Sequence, residues 1–300
     1  LDLDTHPRRN TTIIQPRSAR GPGQRQRQGH HSMHSQLINK AYDIVGDIHG
    51  HLDQLQILVE KLGYSLDDYS HPNGRQLVFL GDYLDRGPDP IGVLRLVKKF
   101  VDNGSALAIM GNHEYNCLAW FTPLVKGSSK YCRDHDNPSK YKQIKETLDG
   151  LEKCSHEERQ ELLDWLRTLP LALHEPGFLA VHACWHPYFI DLYFNQFDQP
   201  LSDEFIRRAS QVPPNAALTE ANALAHPEFW LIETLLKGLE APLPRGAEFK
   251  DAGGTIRHHA RINWWNDLSR APIEQCIRGT KSSFSSDQEF RFRSSIDPFL

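Results

Sequence analysis

The chain has 300 residues, of which 24% are charged, and its 34 Lys and Arg against 38 Asp and Glu give a net charge of −4. That balance argues against a nucleic-acid carrier, and no apolar run approaches the roughly 20 residues needed to span a bilayer. The length can bury a substantial core in one domain with an insertion, and five scattered cysteines without C-x-x-C spacing suit reduced thiols in a cytoplasm better than a disulfide framework or a zinc knuckle.

The first 35 residues read as a disordered basic tail. Arg8, Arg9, Arg17, Arg20, Arg25 and Arg27 face only Asp2 and Asp4, so residues 1–32 carry +4 and the remainder −8. The stretch is rich in Gln, Gly, Pro and His, has almost no apolar periodicity, and lacks the interleaved aromatics expected of a nucleic-acid-binding arm. It has no apolar signal region. The chain opens on Leu1, and Met33 precedes the first strand, so Met33 is expected as the natural start and 1–32 as upstream read-through or a leader. One domain is expected over 36–300.

Three short apolar runs follow: Tyr42 to Val45, Leu77 to Leu80 and Ala106 to Met110, each ending at Gly. They read as buried strands of a layered α/β domain. Between them, Leu52, Leu55, Leu58, Val59 and Leu62 share one helical face, and Ile91, Leu94, Val97 and Val101 share another behind Pro90. Strand–loop–helix alternation places the intervening Gly-rich motifs at strand ends, where sites in open α/β sheets gather.

Those motifs are Gly46-Asp47-Ile48-His49-Gly50, Gly81-Asp82-Tyr83-Leu84-Asp85-Arg86-Gly87 and Gly111-Asn112-His113-Glu114. Gly-Asp and Gly-Asn are common turn pairs, so any one alone is weak; three in series are strong. Asp47 and His49 can reach one ion from an extended segment, Asp82 can bridge two, and Asn112 offers a neutral oxygen. Oxygen and imidazole donors without thiolate suit Mn²⁺, Fe or Zn²⁺. Two such ions roughly 3.5–4 Å apart can activate a shared water and clamp an in-line displacement. Arg86 offers a planar fork for phosphate oxygens. His113 is the expected acid for the leaving group, oriented by Asp85.

From Glu114 to Trp120 the chain is expected to continue as a helix out of the third motif, then as a loop from Thr122 to Ser139 that could lie over the site. Ser155 to Glu158 reads as a capping box opening a helix to about Arg167. Leu171 to Leu173 and Phe178 to Val181 flank Glu175-Pro176-Gly177 as a hairpin. A mainly helical insertion or cap is expected over 190–250, and Asp251 to Gly254 reads as a turn leading to Trp264-Trp265. Trp185, Trp264 and Trp265 are read as packing residues rather than nucleobase platforms.

The three motifs resemble those of the calcineurin-like metallophosphoesterases of the phosphoprotein-phosphatase type: GDxHG, GDxxDRG and GNHE are all present without a substitution. The resemblance covers roughly Ala41 to Trp185, and the wording around the motifs is similar to bacterial members, which include dinucleoside-tetraphosphate hydrolases and protein phosphatases. It implies a β-sandwich flanked by helices, with two divalent ions, Mn²⁺ first among them. Asp47 and His49 would hold the first ion, Asp82 would bridge, and Asn112 and His182 would hold the second. Arg86 and Asn112 would contact phosphate, and His113 with Asp85 would form the acid pair.

The family closes its second metal site with a later His, usually after Gly. Here the candidates are His258 and His259, neither of which follows Gly; the alternative expectation is that the last ligand lies beyond residue 300. The expected function is hydrolysis of phosphate monoesters or anhydrides, on phosphorylated proteins or dinucleoside polyphosphates. The alternative is a binding or regulatory protein with an incomplete second metal site.

Overall fold

The computed structural model describes residues 40–197, 200–214, 218–243, 246–250, 256–266 and 273–278. The expected tail over 1–35, the turn at 251–254 and the C-terminal stretch from 279 lie outside the described residues. The fold is α/β. Strands β1 (Tyr42–Val45), β2 (Gln76–Phe79) and β3 (Ala106–Ala108) pair in parallel in that spatial order. Their register sets Val45 beside Phe79 and Phe79 beside Ala108. The three strands therefore end at one level, and the loops that begin at Gly46, Gly81 and Gly111 leave the same sheet edge.

Helices α1 (Leu52–Lys61) and α2 (Pro90–Asp102) make the crossovers. Asp89 caps α2 by accepting the Gly92 N–H at 2.8 Å, with Pro90 in the first turn, where its missing N–H costs nothing. Leu77, Val78 and Phe79 are fully buried. The expectation of three buried strands fails at β1: Ile44 is 64% exposed, and only Val45 of its four residues is buried.

Helix α3 (Asn112–Phe121) starts inside the third motif and is buried from His113 to Trp120. The following helix, α4 (Pro138–Glu152), was not anticipated. Asn137 caps it by accepting the N–H groups of Ser139 and Lys140, and its buried face carries Ile144, Thr147 and Leu151. Helix α5 (His156–Thr168) begins where expected: Ser155 Oγ accepts the Glu158 N–H at 3.1 Å, while the Glu158 carboxylate is engaged by Arg95 at 2.7 Å, so the capping box forms its first half.

The hairpin of β4 (Ala172–Glu175) and β5 (Phe178–Val181) turns at Gly177, whose φ of 101° suits only glycine comfortably. Its entry is tied to β3 through the Met110 N–H and the Pro170 carbonyl at 2.9 Å. Helices α6 (Pro187–Gln196), α7 (Asp203–Ala209), α8 (Glu220–Ala225) and α9 (Pro227–Ile232), ending in a π-turn at Glu233–Lys237, follow. The chain then changes to short strands: β6 (Glu240–Pro242) pairs with β9 (His259–Arg261), and β7 (Phe249–Lys250) with β8 (Ile256–Arg257). A last turn, α10 (Ile273–Cys276), follows. The Tyr115 hydroxyl, 2.9 Å from Ser210 Oγ and 3.3 Å from the Ile206 carbonyl, ties α3 to α7. Among the described residues no helix is long and apolar enough to cross a membrane.

Candidate active site

The three motif loops are tied together through the backbone before any ligand is considered. The Glu114 carboxylate, fully buried at the start of α3, accepts the N–H groups of Asp82 (2.7 Å), Tyr83 (2.8 Å), Leu84 (3.2 Å) and Gly111 (2.9 Å). The Asp82 carbonyl in turn accepts from Ile48 and His49 at 3.0 and 2.8 Å. Around these bonds four non-glycine motif residues take positive φ: His49 (46°), Asp82 (55°), Asp85 (69°) and Arg86 (66°). Left-handed backbone at non-glycine residues costs about 1–3 kcal/mol each and persists only where the surroundings impose it. The loops also approach too closely for side chains at Gly111, where a Cβ would meet Asp82 Oδ1 at 2.3 Å.

The side chains of the motifs converge. His49 Nε2 lies 3.8 Å from Asp47 Oδ2 and 3.6 Å from Asp82 Oδ2; His182 Nε2 lies 3.5 Å from Asp82 Oδ1 and 3.3 Å from Asn112 Oδ1. Each imidazole has its other nitrogen on a backbone carbonyl: His49 Nδ1 on Leu84 at 3.0 Å and His182 Nδ1 on Leu80 at 2.7 Å. A carbonyl only accepts, so Nδ1 carries the proton and Nε2 aims its lone pair at the carboxylates, which is how metal-binding histidines are oriented. Burial, partly offset by the Leu84 carbonyl, lowers the His49 pKa and favours the neutral ligand form.

Among the described residues, two three-residue groups could each hold an ion: His49, Asp82 and His113, and Asp47, Asp82 and His182, with the ligand atoms of each group within 4.8 Å of one another. Asp82 belongs to both. Oxygen and imidazole donors meeting at a shared, buried carboxylate fit a pair of divalent ions.

His113 is also bound from outside the cluster. Its Nδ1 lies 2.6 Å from Asp85 Oδ2, and both residues are buried. Asp85 is held by Thr147 of α4, whose hydroxyl donates to Oδ1 at 2.5 Å while its oxygen accepts the Asp85 N–H at 3.0 Å. Burial pulls the His113 pKa down, but the Asp85 bond and the Asp82 charge outweigh it, leaving the ring above its ordinary value. Gln143, one turn before Thr147, puts its amide nitrogen 3.3 Å from His113 Nε2, and the half-buried Arg133 guanidinium donates to the Gln143 oxygen.

Arg86 is exposed at the rim, beside α4. The two late candidates stand apart: His258 and His259 are exposed, at and beside the β6–β9 pair, and belong to neither ligand group. Trp264 donates its indole N–H to the Ala183 carbonyl at 2.8 Å, a strut next to His182, while Trp265 is 61% exposed.

Sequence reasoning missed Thr147, Gln143 and Arg133. The Asn137-Pro138 pair, a capping residue before a helix-starting proline, would have located the helix that carries Gln143 and Thr147; Arg133 lies before it. The contacts of Thr147 to Asp85, of Gln143 to His113 and of Arg133 to Gln143 have no local signal.

An asymmetrical bis(5'-nucleosyl)-tetraphosphatase from Bacillus subtilis is 35% identical over 152 residues, 48% of this chain and 57% of the relative. A symmetrical bis(5'-nucleosyl)-tetraphosphatase from Ralstonia nicotianae is 34% identical over 139 residues, 46% of this chain and 40% of the relative. The chain thus spans between two fifths and three fifths of these relatives' lengths. A solved protein serine/threonine phosphatase from Saccharomyces cerevisiae is 19% identical with a TM-score of 0.40, over 71% of this chain and 55% of that one. Residues 42–235 match the calcineurin-like phosphoesterases, and the chain belongs to that family.

Proposed function

We propose that the protein is a dinuclear-metal phosphoesterase that hydrolyses phosphate anhydrides or esters, with dinucleoside polyphosphates as its substrate class and Mn²⁺ as its metal. The observation that carries the reading is the shared carboxylate: Asp82 lies within ligand distance of both the His49 and the His182 groups. Asp47 and His49, 3.8 Å apart, would hold one ion, Asn112 and His182 the other, and Asp82 both, although Asp47 also groups with His182 and His113 with His49. When bound, such ions polarise phosphoryl oxygens and acidify an attacking water.

The chain's own residues supply the rest. Arg86 would hold non-bridging phosphoryl oxygens. Attack by water forms one P–O bond as the bond to the leaving oxygen breaks on the opposite side. Protonated His113 would give its Nε2 proton to that oxygen, with Nε2 exchanging the Gln143 amide N–H that it faces at 3.3 Å for the leaving oxygen, and the upward shift of its pKa supports the charged form. Asp85, anchored by Thr147, would hold the ring in line. The names of the relatives support a nucleotide substrate. Cys117, Cys132, Cys154 and Cys184 are free thiols, which supports a cytoplasmic location, and burial pushes that of Cys184 up to about 12.

The test is hydrolysis of diadenosine tetraphosphate by the full chain with Mn²⁺, Fe²⁺ or Zn²⁺, with products separated by chromatography and a phosphoserine peptide as the competing substrate. Cleavage of the dinucleotide at the higher kcat/KM supports the reading. Preference for the peptide overturns the substrate class, and indifference to chelator overturns the metal mechanism.

A further inference from the structure

The second motif and α4 enclose a cleft of about 390 Å³ that the metal groups do not account for, lined by Arg86, Ser139, Lys142, Gln143 and Glu146. One side chain connects the two sites. Gln143 lines the cleft and also places its amide nitrogen 3.3 Å from His113 Nε2. Arg133 fixes that orientation by donating to the Gln143 oxygen. His113 Nε2 is the atom that would deliver a proton to the leaving oxygen, so the cleft begins where the leaving group departs.

Charge decides what fits there. Arg86 and Lys142 are both exposed, and among the described residues neither makes an ion pair or a side-chain hydrogen bond. The next lysine of the same helix, Lys145, is paired with Asp149 four residues on. Ser139 and Gln143 add neutral donors, and Glu146 is the single carboxylate on the wall. Two unpaired cations and two neutral donors form a surface for an anion rich in acceptors. The volume exceeds what one phosphate needs and lies in the range of small-molecule sites.

We propose that this cleft binds the phosphates of the leaving group: the part of a polyphosphate chain beyond the scissile bond, held by Lys142 with Ser139 and Gln143 as donors, and with Arg86 at the end of the cleft where the transferred phosphoryl group lies. This rests on the phosphoesterase reading and sharpens it. The ligand class is a linear polyphosphate or nucleoside polyphosphate whose departing portion carries at least one further phosphate. A simple monoester leaves the cleft unused.

The experiment is calorimetric binding of inorganic tripolyphosphate and of orthophosphate to the full chain, freed of metal so that ions do not sequester the probe. Wild type is compared with Lys142→Glu and Lys142→Arg. Charge reversal removes one exposed attraction and adds a repulsion of similar size, so Lys142→Glu should weaken tripolyphosphate binding about tenfold, and Lys142→Arg should keep it within roughly twofold. Orthophosphate should lose less than tripolyphosphate. Equal tripolyphosphate affinity in wild type and Lys142→Glu overturns the proposal, as does an equal loss for both probes. Metal-dependent release of p-nitrophenol from p-nitrophenyl phosphate by the same preparation separates the two readings. That leaving group carries no phosphate, so its release leaves the phosphoesterase standing when the cleft fails.

Discussion

The Glu114 carboxylate accepts the backbone N–H of Asp82 at 2.7 Å and so binds the third motif to the second. With three further N–H groups on the same carboxylate, it is the hub on which the left-handed residues of the site depend. Replacing it by Gln turns an amide NH₂ toward N–H donors and leaves some of them unmet in a buried place. Glu114→Gln should cost about 1–3 kcal/mol of stability, read as a lower denaturant midpoint in urea with an unchanged slope. An unchanged midpoint would show that water replaces the carboxylate's role.

The buried His113–Asp85 pair should separate turnover from metal binding. His113→Ala should cut kcat by roughly 10²–10⁴, with metal content, measured by atomic emission, near wild type. Loss of metal together with activity would mean that His113 serves as a ligand, as its place in the His49–Asp82 group allows.

Thr147 acts on the same pair through Asp85. Thr147→Val keeps the shape and removes both bonds, so turnover should fall roughly tenfold, by analogy with other outer-sphere partners. Thr147→Ser should restore most of it. An equal loss in the Val and Ser variants would assign Thr147 to packing alone.

Asp82 is the residue both ion groups share. Asp82→Asn should reduce Mn²⁺ binding in a calorimetric titration from two ions to one or none, with the secondary structure retained. Two ions still bound tightly would refute the bridging role.

Away from the site, Asp43 predicts an acid limb to stability. Arg75 donates to its carboxylate, which outweighs burial and, with the Tyr64 hydroxyl at 2.9 Å, holds the pKa below the ordinary carboxylate value. A carboxyl with a lowered folded-state pKa contributes stability that is fully present above its unfolded value, about 3.9, and is lost as pH falls through the folded one. Asp43→Asn should therefore destabilise the protein at pH 7 and flatten the loss of stability below about pH 4, measured by urea unfolding across pH. A variant as acid-sensitive as wild type would contradict this.

Much of the site was legible because it follows simple local rules. Three apolar runs ending in Gly announced the parallel strands, and Asp47, His49, Asp82, Asn112 and His113 fall at their ends, where the structure brings them together. The hairpin around Gly177 was legible from its turn residues. Helix α4 was not, because its buried positions include Thr147, a polar residue that the apolar pattern passes over. Its function rests on Asp85, 62 residues away in sequence. The exposure of Ile44 was hidden for a related reason: a short apolar run does not show which of its residues other elements will cover. His258 and His259 have the right side chains, but the β6–β9 region keeps them exposed and outside the ligand groups.

The central claim, that the clustered carboxylates and imidazoles form a working metal-dependent phosphoesterase site, is tested most directly with p-nitrophenyl phosphate. Release of p-nitrophenol by the full chain would be followed with Mn²⁺, with chelator, and with Mn²⁺ and the His113→Ala variant. The account predicts turnover with Mn²⁺ that the chelator abolishes and that His113→Ala lowers by roughly 10²–10⁴. A folded chain that binds Mn²⁺ but releases no p-nitrophenol, or one whose turnover ignores the chelator, would contradict it.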